Sequence, residues 1–549
     1  RTMASSNRDP SPASEGRDGI NVGREDEEEV PLYALLSTAI DACRRGCQVI
    51  RRVHAKRLGA DAAASDAGTG TAGKDKEEEN GSSASLSVAY KVEGDSRSAL
   101  TEADGAAQAI ILECLRGRWG GRDGDKLRII GEEDDDQREE EAERKNGGGG
   151  DAPPQDGEKK EVEGGEEEKK GGGGGGDKAE DLFAKYGVPS PTAVPLREDL
   201  VVPPSSSPPA ADSSVDGGSP NKRSKTSPLT VPLSSIVVYV DPMDGTREFV
   251  EGRLRNVQCL IGFTVDGKPR MGVAGLPFAG EDGKGGVEVV YGVCNNGSEG
   301  SEAAVLGRLG APSSSGGEKG EADDEWTPLP FLPPSFDATK CDNADGNDND
   351  VNGKADDEKG DDLEELLVLS GDSGKPDLVA ASDALESIVS DSNSSADYSG
   401  AEQRPGQRRV VRRIVAGGCG NKILRLALSA ASSYYSFSLS AAADGKPDHR
   451  HMNRQSKDVL AVVPRGTCSW DTAAPTAILL AALSKFGAEG SVTDFFGDDL
   501  VYDGTDANVF NTKGVLLSSG SYSRDVHERL VEKMKERGAE EIYERKKKE

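Results

Sequence analysis

The hexapeptide Asp241-Pro242-Met243-Asp244-Gly245-Thr246 follows directly on an apolar, β-branched run, Ile236-Val237-Val238-Tyr239-Val240. A buried strand that ends in two nearby carboxylates, with Pro and Gly to turn the chain, brings both acids and a backbone carbonyl to one side of a rigid base. Such a set of oxygen donors suits a hard divalent cation such as Mg²⁺, which keeps positions open for phosphate. Alone, the hexapeptide is also compatible with an ordinary acidic turn. Two further acidic turns give it weight: Gly131-Glu132-Glu133, after a short strand expected at Leu127–Ile130, and Trp470-Asp471, at the start of an apolar helix expected to reach Leu483. Gly417-Gly418-Cys419-Gly420-Asn421-Lys422 opens another apolar helix, Ile423–Ala431.

The elements around these motifs alternate. From Val30 to Val53, apolar residues recur at three- and four-residue intervals, which predicts an amphipathic helix. Thr101–Leu115 is a second helix. Val257–Val265 and Arg270–Leu276 flank Asp266-Gly267, a strong hairpin signal. A strand at Leu366–Leu369, a helix at Pro376–Val389 and a strand at Arg409–Val415 follow. Gly490–Tyr502 reads as hairpin-like, and a charged helix with a solvated Lys/Glu-rich end closes the chain from about Ser523.

Composition limits what else the 549 residues can be. Apolar residues make up 34%, glycine accounts for 69 positions and the formal net charge is −31, so long stretches cannot bury enough apolar area to fold. Residues 1–29 read as a disordered N-terminal segment. Low-complexity inserts are expected at about 134–178, 203–232, 280–361 and 441–458, inside one catalytic domain spanning 30–540. The acidic balance argues against a nucleic-acid-binding surface, though an acidic protein binds anions where metal ions supply local positive charge. The eight cysteines form no CxxC pair and suit a reducing compartment; Cys43 and Cys47 should share the buried face of the first helix. His449 and His451 read as solvated loop residues. With no run long enough to span a membrane and no secretory signal visible after Arg1, the expected location is cytoplasmic, and no membrane partner is expected.

The order of these motifs resembles the inositol monophosphatase superfamily, magnesium-dependent and lithium-sensitive phosphomonoesterases, and within it the bisphosphate nucleotidase branch. The resemblance runs through Val49-Ile50-Arg51-Arg52-Val53, Thr101-Glu102-Ala103-Asp104, Ile129–Asp134, Glu198–Val202, Val240–Phe249, Glu251-Gly252 with Asn256-Val257, Gly420–Leu424, and Trp470-Asp471-Thr472 with Ala474-Pro475. Glu248, Glu251 and the Gly420-Asn421-Lys422 motif favour the nucleotidase branch. The resemblance implies an α/β layered sandwich (αβαβα) in two lobes, decorated by loops. It implies Mg²⁺ held by Glu132, Asp241, Asp244, Asp471 and the Met243 carbonyl. Asp104 and Thr246 would orient and deprotonate the attacking water; Gly245, Thr246, Gly418 and Lys422 would contact substrate, with Lys422 on a second phosphate. A family histidine is replaced by Asp372, which cannot stack or donate as a histidine does. Arg465 could add phosphate charge, and Trp470 reads as a packing residue. The implied activity is hydrolysis of 3'-phosphoadenosine 5'-phosphate to AMP and phosphate, in support of sulfur metabolism. An inositol polyphosphate 1-phosphatase is the alternative, and the partner is in either case a small phosphorylated molecule. A non-catalytic scaffold is disfavoured, because every ligand position is filled. Monomer and homodimer stay open.

Overall fold

The computed structural model describes residues 28–67, 88–90, 99–120, 127–132, 182–190, 230–280, 286–294, 304–310, 327–329, 363–371, 374–394, 408–444 and 458–544. Two helices come first, α1 (Leu32–Ala67) and α2 (Glu102–Trp119). A seven-stranded sheet follows: β1 (Arg128–Gly131), β2 (Ile236–Asp244), β3 (Gln258–Val265), β4 (Lys268–Leu276), β5 (Glu288–Val293), β6 (Val305–Gly310) and β7 (Thr327–Pro328). Their spatial order is the sequence order. Neighbours from β2 to β7 pair antiparallel, whereas β1 lies parallel to β2. A short helix, α3 (Thr246–Val250), follows β2.

The second sheet contains β8 (Leu363–Ser370), β9 (Arg408–Val415), β10 (Asp458–Val463), β11 (Gly490–Thr493) and β12 (Val515–Ser519) in the order β9-β8-β10-β12-β11. Its helices are α4 (Pro376–Ser394), α5 (Cys419–Asp444), α6 (Ser469–Phe486), α7 (Ser521–Arg537) and α8 (Ala539–Glu544). Three apolar cores show how these stack. The first joins α1 and α2 to one face of the seven-stranded sheet. The second joins that sheet's other face, α5 and α6, and the five-stranded sheet. The third covers the outer face of the five-stranded sheet with α4, α7 and α8. The result is a five-layer αβαβα sandwich, as the resemblance implied. Among the described residues no helix is long and apolar enough to cross a membrane.

A row of glycines brings α6 onto the sheet. Gly262, Gly272 and Gly292 are register partners across β3, β4 and β5. A Cβ at Gly262 would lie 2.6 Å from the Ala474 nitrogen, and one at Gly292 2.9 Å from the Ile478 Cα. Only bare backbone lets the small face of α6 (Ala473, Ala474, Ala477, Ala481) approach this closely, and this contact carries Asp471 to the end of β2. On the opposite face, Cys43 and Cys47 of α1 meet Cys259 of β3, all fully buried. Burial pushes the Cys43 and Cys47 thiols well above the usual range, and the contact with Cys43, then burial, does the same for Cys259, so all three pack as small apolar groups.

Several expectations change. The 280–361 region was expected to be an insert, yet β5, β6 and β7 lie inside it, and Val289, Val290, Leu306 and Leu309 are core residues. Gly490–Tyr502 is not a hairpin: β11 pairs with β12, some twenty residues on, and the chain after Thr493 is turn and loop. The supposed edges of two other inserts are also structured. Thr230–Pro232 pairs with Glu29–Pro31, so Glu29 at the end of the N-terminal segment is ordered as well, and α5 runs on to Asp444 while Asp458 begins β10. Residues 134–178, Glu133 and Asp372 lie outside the described residues.

Candidate active site

β2 carries the hexapeptide to a point where its pairing with β3 shifts register between Asp241 and Asp244. A bulge re-aims the side chains around it, and here Asp241 and Asp244 face the same pocket. Asp241 accepts from the Met243 amide at 3.0 Å, which fixes its carboxylate. Met243 itself is buried in the first core, so only its carbonyl is available for chemistry. The parallel register of β1 with β2 sets Gly131 opposite Val240, so the next residue, Glu132, stands beside Asp241. Asp471 arrives from the third direction, in the first turn of α6, where its Oδ2 accepts the Cys468 amide at 2.7 Å.

Ligand atoms of Asp241, Asp244 and Asp471 all lie within 4.8 Å of one another, two of the residues buried and the third half-buried. Like charges this close cannot all ionise without a cation. Burial, then Glu132, Asp244, Asp471 and Asp104, push Asp241 well above the usual carboxylate range. Asp471 is pushed up to about 8, by burial first and then by Asp244 and Glu132. Asp244 rises only to about 6, because the Lys422 ammonium and backbone N–H groups oppose its burial. Three acids from β2 and α6, Asp241, Asp244 and Asp471, all hard oxygen donors crowded by the nearby charge of Glu132, fit a divalent cation of the Mg²⁺ type.

Beside the cluster, the Thr246 hydroxyl lies 2.9 Å from Asp104 Oδ1 and 3.2 Å from the Met243 carbonyl oxygen. Asp104 is buried in the first turn of α2, so this hydroxyl–carboxylate pair bridges two elements. Gly245 caps α3 with a left-handed backbone, φ 89°. With five residues α3 is too short for a sizeable macrodipole; any phosphate contact there rests on the individual amides.

The glycine-rich turn before α5 closes the far side. Gly418 is left-handed, φ 72°, and a Cβ there would lie 2.6 Å from Asp244 Oδ2. The turn then points two amides at that carboxylate: Cys419 N to Oδ1 at 2.9 Å and Asn421 N to Oδ2 at 3.0 Å. Lys422 is buried, not an exposed helix-start lysine, and its Nζ donates to the Gly418 carbonyl at 2.7 Å. The site thus gathers Asp104, Glu132, Asp241, Met243, Asp244, Gly245, Thr246, Gly418, Lys422 and Asp471. Arg465 does not join it in this structure: its guanidinium stacks on Tyr543 at 4.5 Å. Trp470 packs edge-on to Phe510, as a packing residue should. Sequence reasoning gave no role to the polar group behind the turn, namely Arg253, Asn256, Gln258 and Arg425, although Asn256 stood among the residues of the resemblance.

Fold and site define a class: a five-layer α/β protein with a cluster of carboxylates at the end of the strand Ile236–Asp244, next to the edge of the seven-stranded sheet. Residues 213–302 match the model of the inositol monophosphatase family. Among individual proteins, it is 40% identical over 55 residues to the 3'(2'),5'-bisphosphate nucleotidase 1 of Dictyostelium discoideum, covering 10% of this chain and 18% of that protein. It is 42% identical over 69 residues to the protein of the same name from Mus musculus, covering 12% and 22% respectively. The matched stretches therefore span less than a quarter of those relatives. Among solved structures, the extragenic suppressor protein suhB from Bartonella henselae aligns with a TM-score of 0.36 and 13% identity, over 90% of this chain and 98% of that one.

Proposed function

We propose that this chain is a Mg²⁺-dependent phosphomonoesterase that removes the 3'-phosphate of 3'-phosphoadenosine 5'-phosphate, leaving AMP. The observation that carries the reading is the convergence of Asp241, Asp244 and Asp471, with Glu132 beside them, next to the Thr246–Asp104 pair. Glu132, Asp241, Asp244, Asp471 and the Met243 carbonyl would hold the cation. A divalent cation there supplies charge neutralisation and Lewis acidity toward a phosphoryl oxygen.

The chain's own residues do the rest. Thr246 Oγ1, held by Asp104, orients a water for in-line attack on phosphorus. The water's proton passes to Thr246 Oγ1 as the threonine's own proton passes to Asp104 Oδ1. The phosphorus–oxygen bond to the 3'-oxygen breaks, and that oxygen leaves with a proton taken from solvent. The amides of Gly245 and Thr246 face the scissile phosphate. Lys422, beside Asp244, would meet a second phosphate on turning from the Gly418 carbonyl. The nucleotidase names of the relatives support the nucleotide over an inositol phosphate.

The test is a substrate panel with the purified full chain and Mg²⁺: 3'-phosphoadenosine 5'-phosphate, an inositol 1,4-bisphosphate and an inositol monophosphate, each with and without Li⁺. Preference for the nucleotide supports the reading; preference for the inositol bisphosphate replaces it with the polyphosphate 1-phosphatase alternative.

A further inference from the structure

Glu248 is a buried carboxylate that takes no part in the cluster described above. It lies on α3, only four residues from Asp244, yet it turns away and accepts three hydrogen bonds. Arg253 donates from Nε at 2.7 Å and from Nη2 at 2.8 Å, and Asn256 donates from Nδ2 at 2.8 Å. Taking this carboxylate out of water costs desolvation, which its three hydrogen bonds offset.

Two links run from Glu248 to the glycine-rich turn. The first is packing. Gly417 has an ordinary backbone, so its φ does not require glycine; a Cβ there would overlap the Glu248 carboxylate. Residue 417 is glycine because Glu248 occupies the space of its side chain. The second link is a hydrogen-bond chain. Asn256, held by Glu248 through Nδ2, offers its Oδ1 to Asn421 Nδ2 at 3.2 Å and to Arg425 Nη2 at 2.9 Å. Asn421 Nδ2 also donates to the Gly417 carbonyl at 2.9 Å, and Gln258 Nε2 donates to Asn421 Oδ1 at 3.2 Å. Both links end on the segment whose Cys419 and Asn421 amides grip the two oxygens of Asp244.

We propose that Glu248 is a positioning residue for the cation site: it braces the Gly417–Asn421 turn through Gly417 and Asn256, and the turn in turn pins the Asp244 carboxylate in the orientation that a divalent cation requires. The inference rests on the carboxylate cluster being a cation site. Outer partners that orient a ligand commonly change metal affinity or activity by about 10- to 100-fold when removed.

Glu248→Ala does not strand its main partner, because Arg253 also pairs with Glu251. The readout is Mn²⁺ affinity of the full chain by titration calorimetry, together with the Mg²⁺ concentration for half-maximal phosphatase rate. Glu248→Ala should weaken both about tenfold. Gly417→Ala, which drives a methyl into the carboxylate, should weaken both in the same way. The double variant Glu248→Ala/Gly417→Ala should be no worse than Glu248→Ala alone, since the first change empties the space the second fills. Asn256→Ala cuts the hydrogen-bonded link without touching the contact at Gly417, and should weaken cation affinity even if Glu248→Ala fails to fold. Wild-type cation affinity in Glu248→Ala, or fully additive losses in the double variant, would overturn the proposal. A lower melting temperature with unchanged affinity makes the network purely structural and overturns it too. A wild-type protein that binds no Mn²⁺ refutes the cation site itself, an outcome distinct from any of these.

Discussion

Asp471→Asn should make the metal-free protein more stable while destroying its activity. Asp471 ionises near the ordinary carboxylate value of 3.8 when unfolded, but burial and the neighbouring acids push it up to about 8 in the fold. The folded state therefore holds a proton that the unfolded chain has released, and stability falls as pH rises from 3.8 towards 8. At pH 7 this costs about 4 kcal/mol, at roughly 1.4 kcal/mol per pH unit. An asparagine keeps the outline and an oxygen for the Cys468 amide, and cannot ionise. With an unfolding entropy of about 2.1 cal/mol/K per residue over roughly 300 folded residues, the variant should melt about 6 °C higher at pH 7 in chelator. The gain should vanish near pH 4. Saturating Mg²⁺ should reverse the order, since the cation stabilises the wild type by binding only its folded state. Thermal unfolding followed by circular dichroism, at several pH values with chelator or Mg²⁺, reads all of this. A variant that melts at or below the wild-type temperature in chelator between pH 7 and 8 would refute the picture of crowded, uncompensated carboxylates.

Other outcomes follow from the same geometry. On the proposed reading, in which the pair acts on water and not on the cation, Thr246→Ala and Asp104→Asn should each lower kcat by about 10²–10⁴-fold with little change in the Mg²⁺ requirement; steady-state rates against Mg²⁺ check this. Lys422→Ala should reduce kcat/KM for 3'-phosphoadenosine 5'-phosphate by about 10- to 100-fold and for a substrate with only the scissile phosphate by much less. Equal losses on the two substrates would make the lysine's bond to the Gly418 carbonyl its whole role. His527 of α7 is buried with its Nε2 2.9 Å from the Thr493 hydroxyl, and burial lowers its pKa from 6.5 to about 4. The fold then binds fewer protons than the unfolded chain, so this residue removes about 3 kcal/mol of stability as pH falls from 6.5 to 4. Urea unfolding of His527→Gln should show a correspondingly shallower acid slope than the wild type.

The ends of the cluster were legible because their chemistry is local. A β-branched run that stops at Asp-Pro-Met-Asp-Gly-Thr can hardly be anything but a buried strand entering an acidic turn, and Asp471 precedes an apolar helix. What brings the parts together is not local. The parallel pairing of β1 with β2, which sets Glu132 beside Asp241, and the glycine row that lets α6 reach the sheet depend on register between distant segments. β5 and β6 were lost among glycine and acidic residues because each buried run is only a few residues long, and strand preference decides little without neighbours. The sequence at Gly490 suggested a local hairpin, but the partner strand lies beyond a loop. Glu248 stood out as a marker of the nucleotidase branch; its brace on Gly417 needs the turn before α5 to be folded against α3.

The most direct measurement is phosphate release from 3'-phosphoadenosine 5'-phosphate by the purified full chain and by Asp241→Asn, each with Mg²⁺ and with chelator. Asp241 stands at the centre of the cluster, with Glu132, Asp244, Asp471 and Asp104 all acting on it. The wild type should release phosphate only with Mg²⁺, and Asp241→Asn should release none while unfolding no earlier than the wild type in chelator. Wild-type turnover that persists in chelator, or near-normal turnover by Asp241→Asn at saturating Mg²⁺, would contradict the assignment of these carboxylates as a catalytic cation site.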